Sequence, residues 1–163
     1  MPAFNHKSQL HFNFRNKIMG NAPSVENLKG FQILNVLPSS PANDAKLIPY
    51  FDFIIKINNQ FITKENATQL LQLISQQQPL TILVYNSRSL SIIRKTISPR
   101  IWKEEKDGLL GCNIRLASFD KAHMLIWHIL EVVKGSPADH AKLQPNTYIL
   151  GSPDGHYGSL FLI

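Results

Sequence analysis

Residues 31–58 read FQILNVLPSSPANDAKLIPYFDFIIKIN, and most of that stretch returns at residues 127–151 as WHILEVVKGSPADHAKLQPNTYILG. Phe31 aligns with Trp127, Ser40-Pro41-Ala42 with Ser136-Pro137-Ala138, Ala45-Lys46-Leu47 with Ala141-Lys142-Leu143, and Pro49 with Pro145. The offset, 127 − 31 = 96 residues, holds without a gap through Pro49. It then drops by one, so that Phe53-Ile54-Ile55 matches Tyr148-Ile149-Leu150. Self-similarity at about one small-domain length predicts two copies of a domain.

The unit has a physical reading. Residues 31–37 are apolar and partly β-branched, as expected of a strand with both faces at least partly buried. Ser40 is placed to cap a helix whose first residue, Pro41, has no N–H to lose. Pro49 is expected to end that helix. Residues 51–57 form a second apolar strand, and Asn58-Asn59 suits a tight turn because Asn tolerates positive φ. Further on, residues 66–77 read as a helix. Asn66 is its expected cap, with Gln69 in capping-box position. Ala67, Leu70, Leu71 and Ile74 make one apolar face, with Gln72, Gln76 and Gln77 opposite. Pro79 closes it. Residues 80–86 and 90–98 are two strands around Ser87-Arg88-Ser89. Residues 99–107 form a polar loop carrying Trp102, and Gly108-Leu109-Leu110-Gly111 leads into a short strand at 112–116.

Composition excludes several classes. The chain has 163 residues, with 17 Lys and Arg against 11 Asp and Glu. The cations are scattered, with no basic cluster interleaved with aromatics, so nucleic acid is not an expected partner. A single cysteine, Cys112, excludes an intramolecular disulfide and suits a reducing compartment. No apolar run reaches the ~20 residues that span a bilayer. His6, His11, His123, His128, His140 and His156 are not clustered at metal-ligand spacing. No nucleophile elbow, zincin helix or P-loop is present. Ser39, Ser40 and Ser136 precede the helix starts and read as turn and cap residues rather than nucleophiles. No cofactor, no metal and no catalytic residue is expected.

The start of the chain is different in kind. Residues 1–18 contain no acid, and Phe4, Phe12 and Phe14 alternate with polar groups. The segment reads either as a disordered extension or as a transit-like leader. Met19-Gly20-Asn21-Ala22-Pro23-Ser24 then matches the N-myristoylation pattern, with Gly20 as the acceptor once translation or processing exposes it.

The strand, the Ser-Pro-Ala helix, and a strand carrying Asp52, Ile54, Ile57 and Asn58 resemble the middle of a PDZ domain. With residues 19–26 (MGNAPSVE), 49–54 (PYFDFI), 108–119 (GLLGCNIRLASF) and 127–138 (WHILEVVKGSPA), the chain resembles the N-terminal region of the Golgi reassembly and stacking protein family. The likeness runs from Met19 to about Gly151. It implies an α+β fold: tandem PDZ-like domains with circularly permuted strand order. The expected division is a lead at 1–29, a first domain at 30–119 and a partial, incomplete second domain at 120–163. It also implies that Leu109, Leu110, Gly111 and Cys112 form a carboxylate-binding loop. Asn113 and Ile114 would continue it as a peptide-pairing strand, facing Leu71 on the helix. The other reading of the loop, from its residues alone, is a plain β-turn.

The resemblance further implies a non-catalytic scaffold on the cytosolic face of Golgi membranes, acting in cisternal stacking and vesicle tethering. Golgin-type or other C-terminal or internal peptides are the implied partners, along with self-association in trans and an N-myristoyl group on Gly20. A form initiated at Met1 would instead be expected in the cytoplasm. Some family members build a zinc site where this chain has Gln32 and Ala117, so no metal carries over. The segment before the loop, residues 102–108, is longer and more charged than the family's pattern. The alternatives from other classes are a PDZ regulatory segment of a protease and a soluble PDZ adaptor without lipid.

Overall fold

A computed structural model of the chain describes residues 29–103, 108–119, 122 and 126–150. Five strands form one antiparallel path, β5-β4-β2-β1-β6. They are β1 (Gly30–Val36), β2 (Asp52–Ile57), β4 (Leu80–Asn86), β5 (Ser91–Ile97) and β6 (Cys112–Ala117). The two-residue β3 (Gln60–Phe61) hangs on β2 through the Asn58 turn, where φ is 51°. Among the described residues three helices accompany them: α1 (Pro41–Asp44), α2 (Ala67–Ser75) and α3 (Pro137–His140). β7 (Trp127–His128) pairs with β8 (Tyr148–Ile149) in a separate small sheet.

β2 explains why the sheet has apolar material on both faces. Its pattern is nearly continuous burial rather than alternation, the signature of a strand covered on both sides. Ile54 and Ile57 join Phe31, Ile33, Leu70, Ile82, Val84 and Ile97 in the larger core under α2. Phe53 and Ile55 turn the other way, against Tyr85, Phe119 and Ala122. Each such fully buried side chain contributes ~1.5–3 kcal/mol relative to exposure. Irregularities lie in β1 between Ile33 and Asn35 and in β2 between Ile54 and Lys56, where one extra residue shifts the register. Such bulges bend strands and let a sheet curl around its core.

Two sequence expectations are corrected. Pro49 does not end α1, which is four residues long. Lys46 takes a left-handed φ of 51° and Leu47 N–H returns to the Ala42 carbonyl, so the turn closes itself before the proline is reached. Asn66 stands at the cap position of α2 but its side chain makes no cap bond. Its Oδ1 accepts from Thr63 N–H at 2.8 Å and its Nδ2 donates to the Phe61 carbonyl at 2.8 Å. Thr63 Oγ1 in turn accepts from Asn66 N–H at 3.4 Å, a reciprocal pair of the capping-box kind that commits the Asn66 side chain backward rather than to the helix amides. Ala67 and Leu70 are the buried residues of α2, with Leu71, Leu73 and Ile74 half-buried against the core.

The second copy keeps the backbone of the first. Ser39, Lys46 and Tyr50 have φ of 63°, 51° and 64°, and their counterparts 96 positions on, Gly135, Lys142 and Asn146, have 78°, 59° and 63°. Ser40 and Ser136 each accept from the backbone three residues ahead at 3.2 Å. The second copy meets the first through Tyr148, whose ring packs edge-on to Phe51 at 5.3 Å and lies under the Arg88 guanidinium at 4.9 Å. His128 stacks on the Tyr148 ring at 4.6 Å.

Candidate functional site

Residues 108–111 form a loop held from outside by every carbonyl it has. The Gly108 carbonyl accepts from Trp102 Nε1 at 3.0 Å. The Leu109, Leu110 and Gly111 carbonyls accept from the amides of Arg100 at 3.1 Å, Ala42 at 3.0 Å and Leu37 at 2.8 Å. The amides of Leu109 and Leu110 have no acceptor among the described residues, while that of Gly111 closes the turn over residues 108–110. Both flanking glycines are left-handed, with φ of 68° at Gly108 and 66° at Gly111. Gly111 has no room for a side chain: a Cβ there would lie 2.3 Å from Ser40 Cβ and 2.7 Å from Trp102 Cζ2. Carbonyls turned to the frame, with the Leu109 and Leu110 amides left without an acceptor among the described residues, suit the construction of an anion-binding nest.

β6 leaves this loop directly. It pairs with β1 from Gly30↔Ala117 to Val36↔Cys112 and ends the sheet path, so its outer edge is unpaired among the described residues. Cys112 and Ile114 face the core beside Leu71 and Ile74, while Asn113 and Arg115 are exposed. Asn113 is anchored by its amide, which donates to Asn35 Oδ1 at 2.7 Å. Leu110 is only 8% exposed and belongs to the core, so that residue offers a ligand its backbone alone. Burial pushes the Cys112 thiol up to about 11. Arg115 donates to Gln32 Oε1 at 2.7 Å, a cross-strand bond at one of the two positions where the resemblance pointed to zinc ligands elsewhere.

The structure thus brings Leu109, Leu110, Gly111, Cys112, Asn113 and Ile114 into one loop and strand, with Leu71 packed against the same core. Gly20 lies outside the described residues. Sequence reasoning missed Trp102, Arg100 and Ser40 as parts of the loop's frame, because their contacts cross gaps that periodicity does not span. An open recess of about 400 Å³ lies elsewhere, among Phe51, Asp52, Arg88, Ile93, Lys95 and Tyr148. Asp52 is buried there and satisfied. It accepts from Ile48 N–H at 2.9 Å and Asn86 Nδ2 at 2.6 Å, with Lys95 at 3.6 Å. Among the described residues no helix is long and apolar enough to cross a membrane.

A family profile for the GRASP55/65 PDZ-like domain matches residues 17–103 and again 91–160. The chain belongs to that family. Two PDZ-like matches agree with the internal repeat and with a mostly antiparallel sheet carrying few helices. Among relatives, the chain is 38% identical over 127 residues to Golgi reassembly-stacking protein 1 of Homo sapiens, covering 76% of this chain and 28% of that protein. It is 39% identical to the Mus musculus protein of the same name, with the same coverage. An uncharacterised protein of Schizosaccharomyces pombe is 32% identical over 127 residues, or 77% of this chain and 35% of the relative. The chain therefore spans about a third or less of the length of these relatives. The GRASP family is one of non-catalytic scaffolds.

Proposed function

We propose that this chain is a peptide-binding, membrane-tethering scaffold of Golgi organisation, and that residues 108–114 are its recognition element. The observation that carries the reading is the loop whose four carbonyls are all engaged and whose Leu109 and Leu110 amides have no acceptor among the described residues, beside a strand whose outer edge is unpaired among them. A peptide terminus would bring its carboxylate to those amides, and its backbone would extend the sheet along β6. Apolar side chains would lie toward Leu71, Cys112 and Ile114. We read the strand order as a circularly permuted PDZ, with the groove strand last, over residues 30–119. We assign residues 120–163 to a second such domain.

Stacking and tethering follow from combining weak contacts. One myristoyl chain on Gly20 binds membrane with a constant on the order of 10⁴ M⁻¹, too weak for stable anchoring alone. A groove engaged with a golgin-type peptide, or with a second copy across the gap, supplies the second contact at high effective concentration. The name that two of the relatives carry, Golgi reassembly-stacking protein, supports this direction.

The test has two arms. A labelled octapeptide ending in apolar residues with a free carboxylate should bind the full chain, and Leu71→Glu should weaken it about tenfold by placing a like charge beside the groove. Equal affinity in the two proteins would remove the groove from the reading. In cells, a form initiated at Met19 should incorporate a myristate analogue and collect at the Golgi, and Gly20→Ala should not. A diffuse cytosolic Met19-initiated form would end the membrane half of the proposal.

A further inference from the structure

We propose that the Trp102 indole is a clasp that presets the amides of the 108–111 loop, and so sets its preference for a terminal carboxylate over a carboxamide. The inference rests on the groove reading above and assigns this preference to a positioning residue outside the loop.

The argument is geometric. A peptide unit is planar and trans, so the C=O of one residue and the N–H of the next point in opposite directions and turn together. Fixing the Gly108 carbonyl therefore fixes the Leu109 amide. The Leu109, Leu110 and Gly111 carbonyls fix the next three amides in the same way. Those three carbonyls are held by backbone N–H groups of Arg100, Ala42 and Leu37, which belong to the fold itself. The first is held by a side chain, the indole N–H of Trp102. It is also the unit most free to rotate. Gly108 is left-handed, and a Cβ there would meet nothing within 4 Å.

Trp102 reaches the other end of the loop as well. Its Cζ2 would lie 2.7 Å from a Cβ on Gly111, so the six-membered ring rests against that glycine while Nε1 holds Gly108. The segment carrying it is itself tied down. Arg100 N–H donates to the Leu109 carbonyl, and the Arg100 guanidinium pairs with Asp44 on α1 at 2.8 Å. One indole thus spans both glycine hinges from a braced strap. A carboxylate needs several amides converging at once, whereas a carboxamide's single carbonyl oxygen needs fewer. Loss of one preset amide should therefore cost the carboxylate more.

The test uses the full chain and one labelled octapeptide ending Val-Leu-Val, made as the free acid and as the carboxamide. In Trp102→Phe, which keeps ring packing and removes the donor, the acid-to-amide affinity ratio should fall about three- to tenfold. Carboxamide affinity should hardly move. A ratio unchanged from wild type, or both affinities falling equally, overturns the clasp. Two ligand-free measurements decide it should the wild type bind neither peptide, an outcome that would sink the groove reading instead. ¹⁵N relaxation should show the Leu109 amide rigid in wild type and mobile in Trp102→Phe, with Val84 and Ile93 in the hairpin unchanged as the control for folding. The wild-type indole N–H should exchange more slowly than that of free tryptophan. A Leu109 amide equally rigid in both proteins, or an indole exchanging at the free rate, overturns the proposal.

Discussion

The two copies of the Ser-Pro-Ala turn are built from the same local bonds and packed to different depths. In the first, the amides of Ser40, Asp44, Ala45, Lys46, Leu47 and Tyr50 find the carbonyls of Leu37, Ser40, Pro41, Asn43, Ala42 and Ile33. In the second, each of those six bonds recurs 96 positions on, from Ser136 to Val133 through Asn146 to Ile129. The two bonds to the 108–111 loop do not recur. Leu37 N–H and Ala42 N–H reach the Gly111 and Leu110 carbonyls, whereas Val133 N–H and Ala138 N–H have no acceptor among the described residues. Burial follows the missing pair. Pro41 and Ala42 are buried and no residue of α3 is. Phe31 is 3% exposed and Trp127 is 70% exposed. A short sequence can dictate its own turn, but how deeply that turn is packed depends on chain far away in sequence.

That contrast can be broken by paired substitutions read by denaturant unfolding of the full chain. The largest difference is expected at the aligned aromatics: Phe31→Ala should lose about 3–5 kcal/mol and Trp127→Ala less than about 0.5 kcal/mol. Equal losses would mean that Trp127 is buried in solution. Next come two glycines on either side of the contrast. Gly111→Ala combines a left-handed φ with contacts below van der Waals distance and should cost about 3 kcal/mol or more. Gly135→Ala, with nothing within 4 Å, should cost about 1 kcal/mol from its φ alone. The caps should differ less. Ser40→Ala, at a fully buried site, is expected to lose about 1–2 kcal/mol and Ser136→Ala about 0.5 kcal/mol.

A pH-dependent contribution, without effect at neutral pH, comes from Cys112, in the segment that covers the first copy. Burial raises its thiol from 9.0 to about 11. Between those values the folded chain keeps a proton the unfolded chain has lost. This contribution to stability is therefore full below pH ~9 and disappears as pH rises through ~11. Alkylation by iodoacetamide at pH 8 should run about a hundredfold slower than for a free cysteine peptide. A rate near that of the free thiol would show the cover standing open.

What the sequence made legible was whatever is written in neighbouring residues. The apolar runs of β1, β2, β4 and β5, the α2 face and both Ser-Pro caps follow from period and capping chemistry. The self-closing end of α1 was hidden because Lys46 carries no mark of a left-handed residue. The missing Asn66 cap was hidden because Thr63 and Phe61 compete for the same side chain. The loop at 108–111 was recognisable only through its resemblance to a family; its residues alone also fit an ordinary turn. Its frame joins the nearby Trp102 and Arg100 to Ala42 and Leu37, 110 − 42 = 68 and 111 − 37 = 74 residues away from their partners, and no pattern in the chain announces that they meet.

The pairing of β1 with β6 joins Gly30 to Ala117, a separation of 117 − 30 = 87 residues. The β4–β5 hairpin, by contrast, closes over a few. Closing a long span carries a larger entropic penalty and comes late in folding. On a growing nascent chain, the edge of β1 therefore stays bare until residue 117 has been made, while the hairpin has already formed. The same late strand carries the free edge read here as the peptide-binding one. A partner seizing β6 before it reaches β1 would compete with folding, and one arriving afterwards would extend a finished sheet. Recognition through that edge thus waits on the longest-range closure of the main sheet.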